Sequence, residues 1–162
     1  MLSRANYELW KKLLALGKRV YATAGNDEHR LPKDKALTTI YAEEKNSRAF
    51  IQQLRAGNIT CGGVGVRMCV GDTAMGGVCD FAGQKLVISV GDFHKSLRDP
   101  AHTYRVALIS DTGEVCSWET SCEETAYFAI DADSEKKFYR VAVYDNTRDF
   151  PIALGNPIWN ER

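Results

Sequence analysis

Residues 64–70, VGVRMCV, carry an apolar side chain at every second position. In extended backbone, successive side chains point to opposite faces, so this pattern predicts a strand with one buried face. Gly62 and Gly63 directly precede the strand, and together with Gly65 they form G-G-x-G. No strand-to-helix context surrounds these glycines, so we interpret them as a turn or bulge and not as a phosphate-binding loop.

The same alternation recurs four more times toward the C-terminus. Glycine, aspartate and asparagine separate the apolar runs, as is typical of turns between short strands. This spacing predicts a small antiparallel β-sandwich over residues 63–162. The apolar positions of the four runs are Leu86, Ile88 and Val90; Tyr104, Val106 and Leu108; Ala126, Phe128 and Ile130; and Tyr139, Val141 and Val143.

Residues 1–62 have a different pattern. Tyr7, Trp10 and Leu14 recur at helical spacing, and Gly17 follows as a C-terminal cap. Residues 20–24 and 37–42 are two β-prone runs. The sequence therefore predicts a helix and two strands before residue 43.

A second helix is predicted after these strands. Asn46 or Ser47 can cap its first turn, and Gly57 ends it. We expect an α+β fold with a helix-strand-strand-helix segment over residues 1–62 and a β-sandwich domain over residues 63–162. The residues predicted to form the buried face of this helix are Ala49, Phe50, Ile51 and Leu54.

Composition and charge exclude several classes of protein. Hydrophobic residues make up 44% of the 162 residues, and 21 Lys and Arg balance 21 Asp and Glu. A zero net charge gives no global attraction to nucleic acid or to an anionic membrane. No apolar run is long enough to cross a bilayer, and no signal-peptide pattern is present. Five cysteines without a C-x-x-C pair indicate reduced thiols, so we expect a cytoplasmic protein without disulfides.

One short segment carries metal-ligand chemistry. In extended backbone, Asp27 and His29 would face the same side, with Glu28 pointing away. A carboxylate beside an imidazole suits zinc, manganese or iron. The alternative is a solvated turn, because an Asp-x-His pair is common by chance and two ligands do not close a site. His94 and His102 lie in polar stretches, so both are expected in surface loops.

The surroundings of this pair resemble a known family. Residues 17–30, GKRVYATAGNDEHR, are similar to the final metal-binding motif of phosphoesterases of the polymerase-and-histidinol-phosphatase (PHP) type. Residues 38–63, TTIYAEEKNSRAFIQQLRAGNITCGG, resemble the strand, helix and strand that follow in that family. FYRVAVYD and PIALGNPIWN, over residues 138–145 and 151–160, resemble the ending of its CehA/McbA-like metallohydrolase subgroup.

The resemblance implies the C-terminal portion of a PHP-domain hydrolase, a phosphoesterase in its complete form. Asp27 and His29 would be metal ligands, and residues 1–62 would be the last part of a PHP-type barrel. No His-x-His precedes Asp27, and Glu28 stands where the family has a small residue. The resemblance therefore implies that the remaining ligands come from a missing N-terminal PHP region of the same or another chain. We expect this chain alone to be inactive, without a catalytic residue of its own and without a tightly bound metal.

The alternative is a non-enzymatic β-sandwich that binds a ligand or a partner. Aromatic side chains on one exposed face could stack on a sugar, although aromatic residues in a small sandwich more often pack its core. We expect the strand arginines to face solvent or to cover a sheet edge, and the chain to be a monomer with at most weak self-association. The aromatic candidates are Tyr104, Trp118, Tyr139 and Trp159, and the strand arginines are Arg67, Arg105 and Arg140.

Overall fold

The computed structural model of the chain describes residues 3–25, 37–147 and 149–161. Its two helices and its mostly antiparallel strands confirm the α+β class. In chain order the elements are α1 (Arg4–Ala15), β1 (Thr38–Ile40), α2 (Ser47–Ala56), β2 (Ile59–Gly62), β3 (Gly65–Val70), β4 (Thr73–Ala74), β5 (Val78–Cys79), β6 (Lys85–Gly91), a 3-10 turn (Lys95–Leu97), β7 (Tyr104–Ser110), β8 (Gly113–Thr120), β9 (Ala126–Asp131), β10 (Phe138–Asp145), β11 (Pro151–Gly155) and β12 (Ile158–Asn160).

The strands form two sheets. In the larger sheet, β10 pairs with β7 on one edge and with β11 and β12 on the other. β8 extends this sheet beyond β7, β2 and β1 extend it beyond β11, and β5 joins β12 in the one parallel pairing of the described strands. The smaller sheet has the order β4-β3-β6-β9. β1 and β2 thus belong to the same sheet as the strands of the β region.

The two sheets enclose a core of alternating side chains. The inward positions of β3, β6, β7 and β10 are the apolar residues that the alternation predicts, and those strand predictions are confirmed. Phe81 and Tyr139 are fully buried, with their ring centroids 5.2 Å apart. At the open side of the sandwich, Trp118 of β8 stacks on Phe128 of β9 at 4.9 Å.

β10 is buried on its outer face as well. Helix α1 covers this face with Tyr7, Trp10 and Leu14, which pack against the larger sheet. Burial of a large apolar side chain contributes roughly 1.5–3 kcal/mol, so this helix adds substantially to the stability of the sheet. Within the described residues, neither helix is long and apolar enough to span a membrane.

Arg140 contradicts the prediction that the strand arginines face solvent or cover a sheet edge, because β10 is paired on both sides. It lies on the outer face of β10 with 4% of its surface exposed. Its guanidinium carbon is 5.4 Å from the Trp10 ring centroid and 5.7 Å from that of Tyr7, because α1 lies over this face. The prediction was wrong because the alternation identifies the inner face and says nothing about a helix covering the outer one.

The second helix begins and ends as predicted, but of its predicted buried face only Ala49 and Leu54 are half-buried. The Asn46 side chain accepts a hydrogen bond from the Ala49 N–H, and Gly57 closes the helix with a left-handed φ of 77°. No residue of α2 is buried, and Phe50 and Ile51 are 37% and 49% exposed. Among the described residues, α2 packs mainly against the three-residue strand β1, which is too short to cover a helix face.

The glycine at the end of β2 permits the crossing between the sheets. Gly62 has φ +114°, and a Cβ at this position would lie 2.1 Å from the carbonyl oxygen of Ile152. Gly113, the first residue of β8, has φ +113° with no atom within 4 Å of a Cβ. The two glycines therefore have nearly the same φ, but only at Gly62 would a Cβ meet a neighbouring atom.

We predict that Gly62→Ala lowers the free energy of unfolding by roughly 1–3 kcal/mol more than Gly113→Ala does. Both variants carry the strain of a positive φ, whereas only Gly62→Ala also forces a clash with the neighbouring strand. Urea denaturation of the two variants and the parent measures the difference. Equal destabilisation would show that the clash at Gly62 is relieved at no cost.

Candidate functional site

The segment that leads to the Asp-x-His pair is anchored by other parts of the chain. Residues 20–24 do not form a strand, contrary to the sequence prediction, since side chains and not a neighbouring strand bind their backbone. The Trp10 Nε1–H donates to the Val20 carbonyl oxygen at 3.0 Å. The Tyr21 hydroxyl donates to the Gly76 carbonyl oxygen at 2.8 Å, and a Cβ at Gly57 would lie 2.6 Å from the Tyr21 ring.

Asn156 holds the middle of this segment. The residue follows β11 and is 1% exposed. Its Oδ1 accepts from the Ala22 N–H at 2.7 Å, and its Nδ2 donates to the carbonyl oxygens of Ala22 and Gly57, each at 3.2 Å. One buried amide thus satisfies three backbone groups from two separate segments, as buried polar groups require.

Thr38 holds the end of the segment in the same way. Its Oγ1 accepts from the Ala24 N–H at 2.9 Å and donates to the Ala24 carbonyl oxygen at 2.7 Å. Because Thr38 is the first residue of β1, the chain is fixed at the edge of the larger sheet immediately before Gly25.

Asp27 and His29, the predicted metal ligands, lie outside the described residues. Asp27 follows the anchored Ala24 by three positions in the sequence. In the described parts of the chain, no group of three or more His, Cys, Asp and Glu side chains could hold a metal ion. The donor types of the Asp-x-His pair fit zinc, manganese or iron, but a complete site needs at least one further ligand.

A second polar cluster surrounds His102, which lies in a loop, as the sequence predicts, with its side chain partly buried. Its Nε2–H donates to Asp145 Oδ1 at 2.9 Å, and its ring packs against Tyr104 at 4.7 Å. Thr147 donates to the same Asp145 oxygen from its N–H at 3.0 Å and from its Oγ1 at 2.7 Å. Burial raises the pKa of Asp145, but these hydrogen bonds and the nearby imidazole outweigh burial and hold it below the usual carboxyl value.

Within the described chain, no hydroxyl or thiol forms a triad with a histidine and a carboxylate. No serine, threonine or cysteine among the described residues hydrogen-bonds to His102, so nothing extends the His102–Asp145 pair to a triad. His94 Nδ1 lies 2.7 Å from Ser96 Oγ and accepts from the Ser96 N–H, which caps the 3-10 turn. All five cysteines are free, and burial raises the pKa of Cys61 to about 12, which keeps this thiol protonated at neutral pH.

The aromatic side chains named as a sugar platform do not form one. Tyr104, Tyr139 and Trp159 are between 0% and 4% exposed, so they pack in the core, as the sequence analysis favours over the sugar platform. A different aromatic residue is exposed to solvent. Tyr127 of β9 is 73% exposed on the outer face of the smaller sheet. Its outward position follows from the alternation of Ala126, Phe128 and Ile130, which face inward on the same strand.

Tyr127 borders a groove of about 610 Å³ between the smaller sheet and the chain that follows β1. We call it the outer groove. Within it, the Arg67 guanidinium carbon lies 4.6 Å from the centroid of the Tyr41 ring. No sequence signal predicts that contact, since 26 positions separate the two residues. The residues that define the outer groove are Ile40, Tyr41, Glu43, Arg67, Val87 and Tyr127.

Comparison with known proteins assigns no family. No protein-family model matches the chain, and neither the curated proteins nor the solved structures contain a significant match.

We predict that Asp145→Asn destabilises the protein by about 1 kcal/mol at neutral pH, because it removes a charged hydrogen-bond acceptor. The folded-state pKa of Asp145 is lowered, so its contribution is complete above the unfolded value of about 3.9 and is lost as the pH falls through the folded value. Thermal unfolding of parent and variant between neutral and acidic pH measures this change.

The control for this experiment is Asp131→Asn, which removes an exposed ion pair with Lys85. Exposed pairs contribute little, so this variant should change stability only slightly. A difference between parent and Asp145→Asn that stays constant down to acidic pH would contradict the assigned role of the charge.

Proposed function

We propose that this chain is the C-terminal part of a PHP-type metal-dependent hydrolase, a phosphoesterase in its complete form. Asp27 and His29 contribute two ligands to a divalent metal, and further ligands come from a PHP region outside these 162 residues, in the same or another chain. A metal at that site would polarise a phosphoryl oxygen and activate water for attack on a small phosphoester.

The anchoring of residues 20–24 carries this proposal. A ligand pair is useful only when its backbone is oriented before the metal arrives, because other groups must hold the ligands in place. The hydrogen bonds from Trp10, Asn156 and Thr38 fix the chain up to Ala24, directly before the Gly25-x-Asp27-x-His29 motif. A solvated turn would not need an approach that is held by three partly buried side-chain hydrogen bonds.

The exposed face of α2 agrees with this proposal. Phe50 and Ile51 leave apolar surface uncovered on a helix whose sequence resembles the one after the last metal-binding motif of the family. This surface is compatible with a contact to another part of a protein. The missing PHP region is the partner that the proposal assigns to this face.

A second candidate function is a non-enzymatic binding module, and the outer groove favours it. The groove combines an exposed aromatic ring, an arginine and an apolar floor in one concave surface. These are the features of small-molecule sites. The two candidates are compatible, because a hydrolase can carry a binding module after its catalytic region.

We predict weak, localised metal binding by the chain alone. Added Mn²⁺ should broaden the NMR amide signals of Ala24, Gly25 and Leu37, which flank the motif in the described chain. The broadening should disappear in a variant with both Asp27→Asn and His29→Ala, and the isolated chain should hydrolyse no generic phosphoester above background, because two ligands leave the site incomplete.

The matched control is Glu28→Gln, which removes a neighbouring carboxylate that the extended pattern directs away from the metal. This variant should retain the broadening. Broadening centred on another acidic part of the chain, or broadening that survives the loss of both ligands, would contradict the assigned metal site.

A further inference from the structure

The orientation of Arg67 distinguishes the outer groove from an ordinary sheet face. Arg67 points outward from β3, and its guanidinium stacks on the Tyr41 ring at 4.6 Å. The Tyr41 hydroxyl lies 3.2 Å from Thr60 Oγ1, which holds the ring in place. A stacked guanidinium keeps its planar set of N–H donors available for a carboxylate or phosphate.

Comparison with Arg105 shows what Arg67 lacks. Arg105 stacks in the same way, 4.5 Å from the Tyr144 ring centroid, but it also donates to both Glu114 carboxylate oxygens at 2.8 Å. Arg67 has no carboxylate partner among the described residues. An exposed, oriented and unneutralised guanidinium is complementary to an anionic ligand.

Tyr127 lies in the same cross-strand row. Arg67 pairs with Ser89, and Ser89 pairs with Tyr127, so the three side chains share the outer face of the smaller sheet. Two strand spacings separate Arg67 from Tyr127, about 10 Å between their backbones. One ring with a single anionic substituent spans this separation, with its flat face on Tyr127 and its charge at Arg67.

The floor and the polar groups of the outer groove further limit which ligands can bind there. Cys69 and Val87 line the groove in the adjacent cross-strand row, which Ala129 continues, and these small apolar side chains leave room for a ring. Ser89 and Glu43 make no side-chain hydrogen bond within the described residues, so both are available to ligand hydroxyls. The Glu43 carboxylate repels any anionic group placed beside it, so it disfavours a polyanion such as nucleic acid and leaves Arg67 as the position for a single anionic group.

We propose that the outer groove binds a monosaccharide carrying one anionic group, either a sugar acid or a sugar phosphate. Arg67 binds the carboxylate or phosphate, Tyr127 stacks on the C–H face of the ring, and Ser89 and Glu43 bind ring hydroxyls. The negative face of an aromatic ring attracts such C–H groups. This proposal does not require the metal site, and its test uses a metal-depleted buffer.

The experiment is an NMR titration of the full chain with glucuronate, glucose 6-phosphate and glucose. We expect the two anionic sugars to shift the amide signals of Arg67, Ser89 and Tyr127 and to bind at least about tenfold more tightly than glucose, because hydrogen bonds to a charged group dominate. Comparison of glucuronate with glucose 6-phosphate tells which anionic group the groove prefers. Acetate should bind less tightly than glucuronate, because it has no ring.

Three variants test the roles of the side chains. Arg67→Gln should weaken binding of the preferred sugar roughly tenfold, and Tyr127→Ala roughly fivefold. Arg105→Gln is the matched control and should leave binding unchanged, because its guanidinium is already neutralised by Glu114. Both groove residues are exposed, so neither change should unfold the protein.

Several results would overturn the proposal: no binding by either anionic sugar, equal binding of glucose, or equal losses in Arg67→Gln and Arg105→Gln. Tight binding of a single-stranded oligonucleotide without binding of the sugars would also overturn it and would assign the groove to nucleic acid. None of these results bears on Asp27 and His29, so the metal proposal is tested separately.

Discussion

The Asn156 side chain joins three parts of the chain that are distant in sequence. Its amide binds both the N–H and the carbonyl oxygen of Ala22. It also binds the carbonyl oxygen of Gly57, where α2 ends. Asn156 itself follows β11 and is almost fully buried. The approach to the proposed metal motif, the end of α2 and the centre of the larger sheet are therefore positioned together. An unpaired polar group at this depth would cost roughly 1–3 kcal/mol, so each of these contacts constrains the others.

Burial of β10 on both faces explains why the N-terminal helix belongs with the sandwich. The inner face of β10 packs in the core between the sheets, and its outer face carries Phe138, Arg140 and Ala142. Those side chains would be exposed without α1, whose Trp10 also binds the Val20 carbonyl oxygen. The same helix thus covers the sheet and fixes the start of the segment that leads to Asp27. Stability of the fold and orientation of the proposed ligands depend on shared contacts.

The sequence predicts the helices and strands that depend on short-range patterns. Period-two alternation identified the inward residues of the long strands, and Asn46 and Gly57 identified both ends of α2. Residues 20–24 have β propensity but no strand partner, since Thr38 and Asn156 occupy their backbone groups with side-chain atoms. Arg140 was misplaced because the helix above it comes from a segment more than a hundred positions away. Propensity and periodicity do not encode contacts of this range.

The residues of the proposed metal site can be named from the sequence, whereas those of the outer groove cannot. Asp27 and His29 follow from a short motif and from a resemblance, and the structure adds the anchoring of the residues before them. The outer groove follows from the fold, because Arg67, Ser89 and Tyr127 come together only when β3, β6 and β9 are paired in register. The stacking of Arg67 on Tyr41 then requires β1 to be placed beside the smaller sheet.

Hydrogen exchange of Asn156→Ala, compared with the exposed turn variant Asn146→Ala, tests the central role of the buried amide most directly. The account predicts that the amides of Ala22 and Ala24 lose protection in Asn156→Ala while those of β10 keep theirs, and that Asn146→Ala changes neither. Unchanged protection of Ala22 in Asn156→Ala would contradict the account, and so would an equal loss of protection across the whole chain.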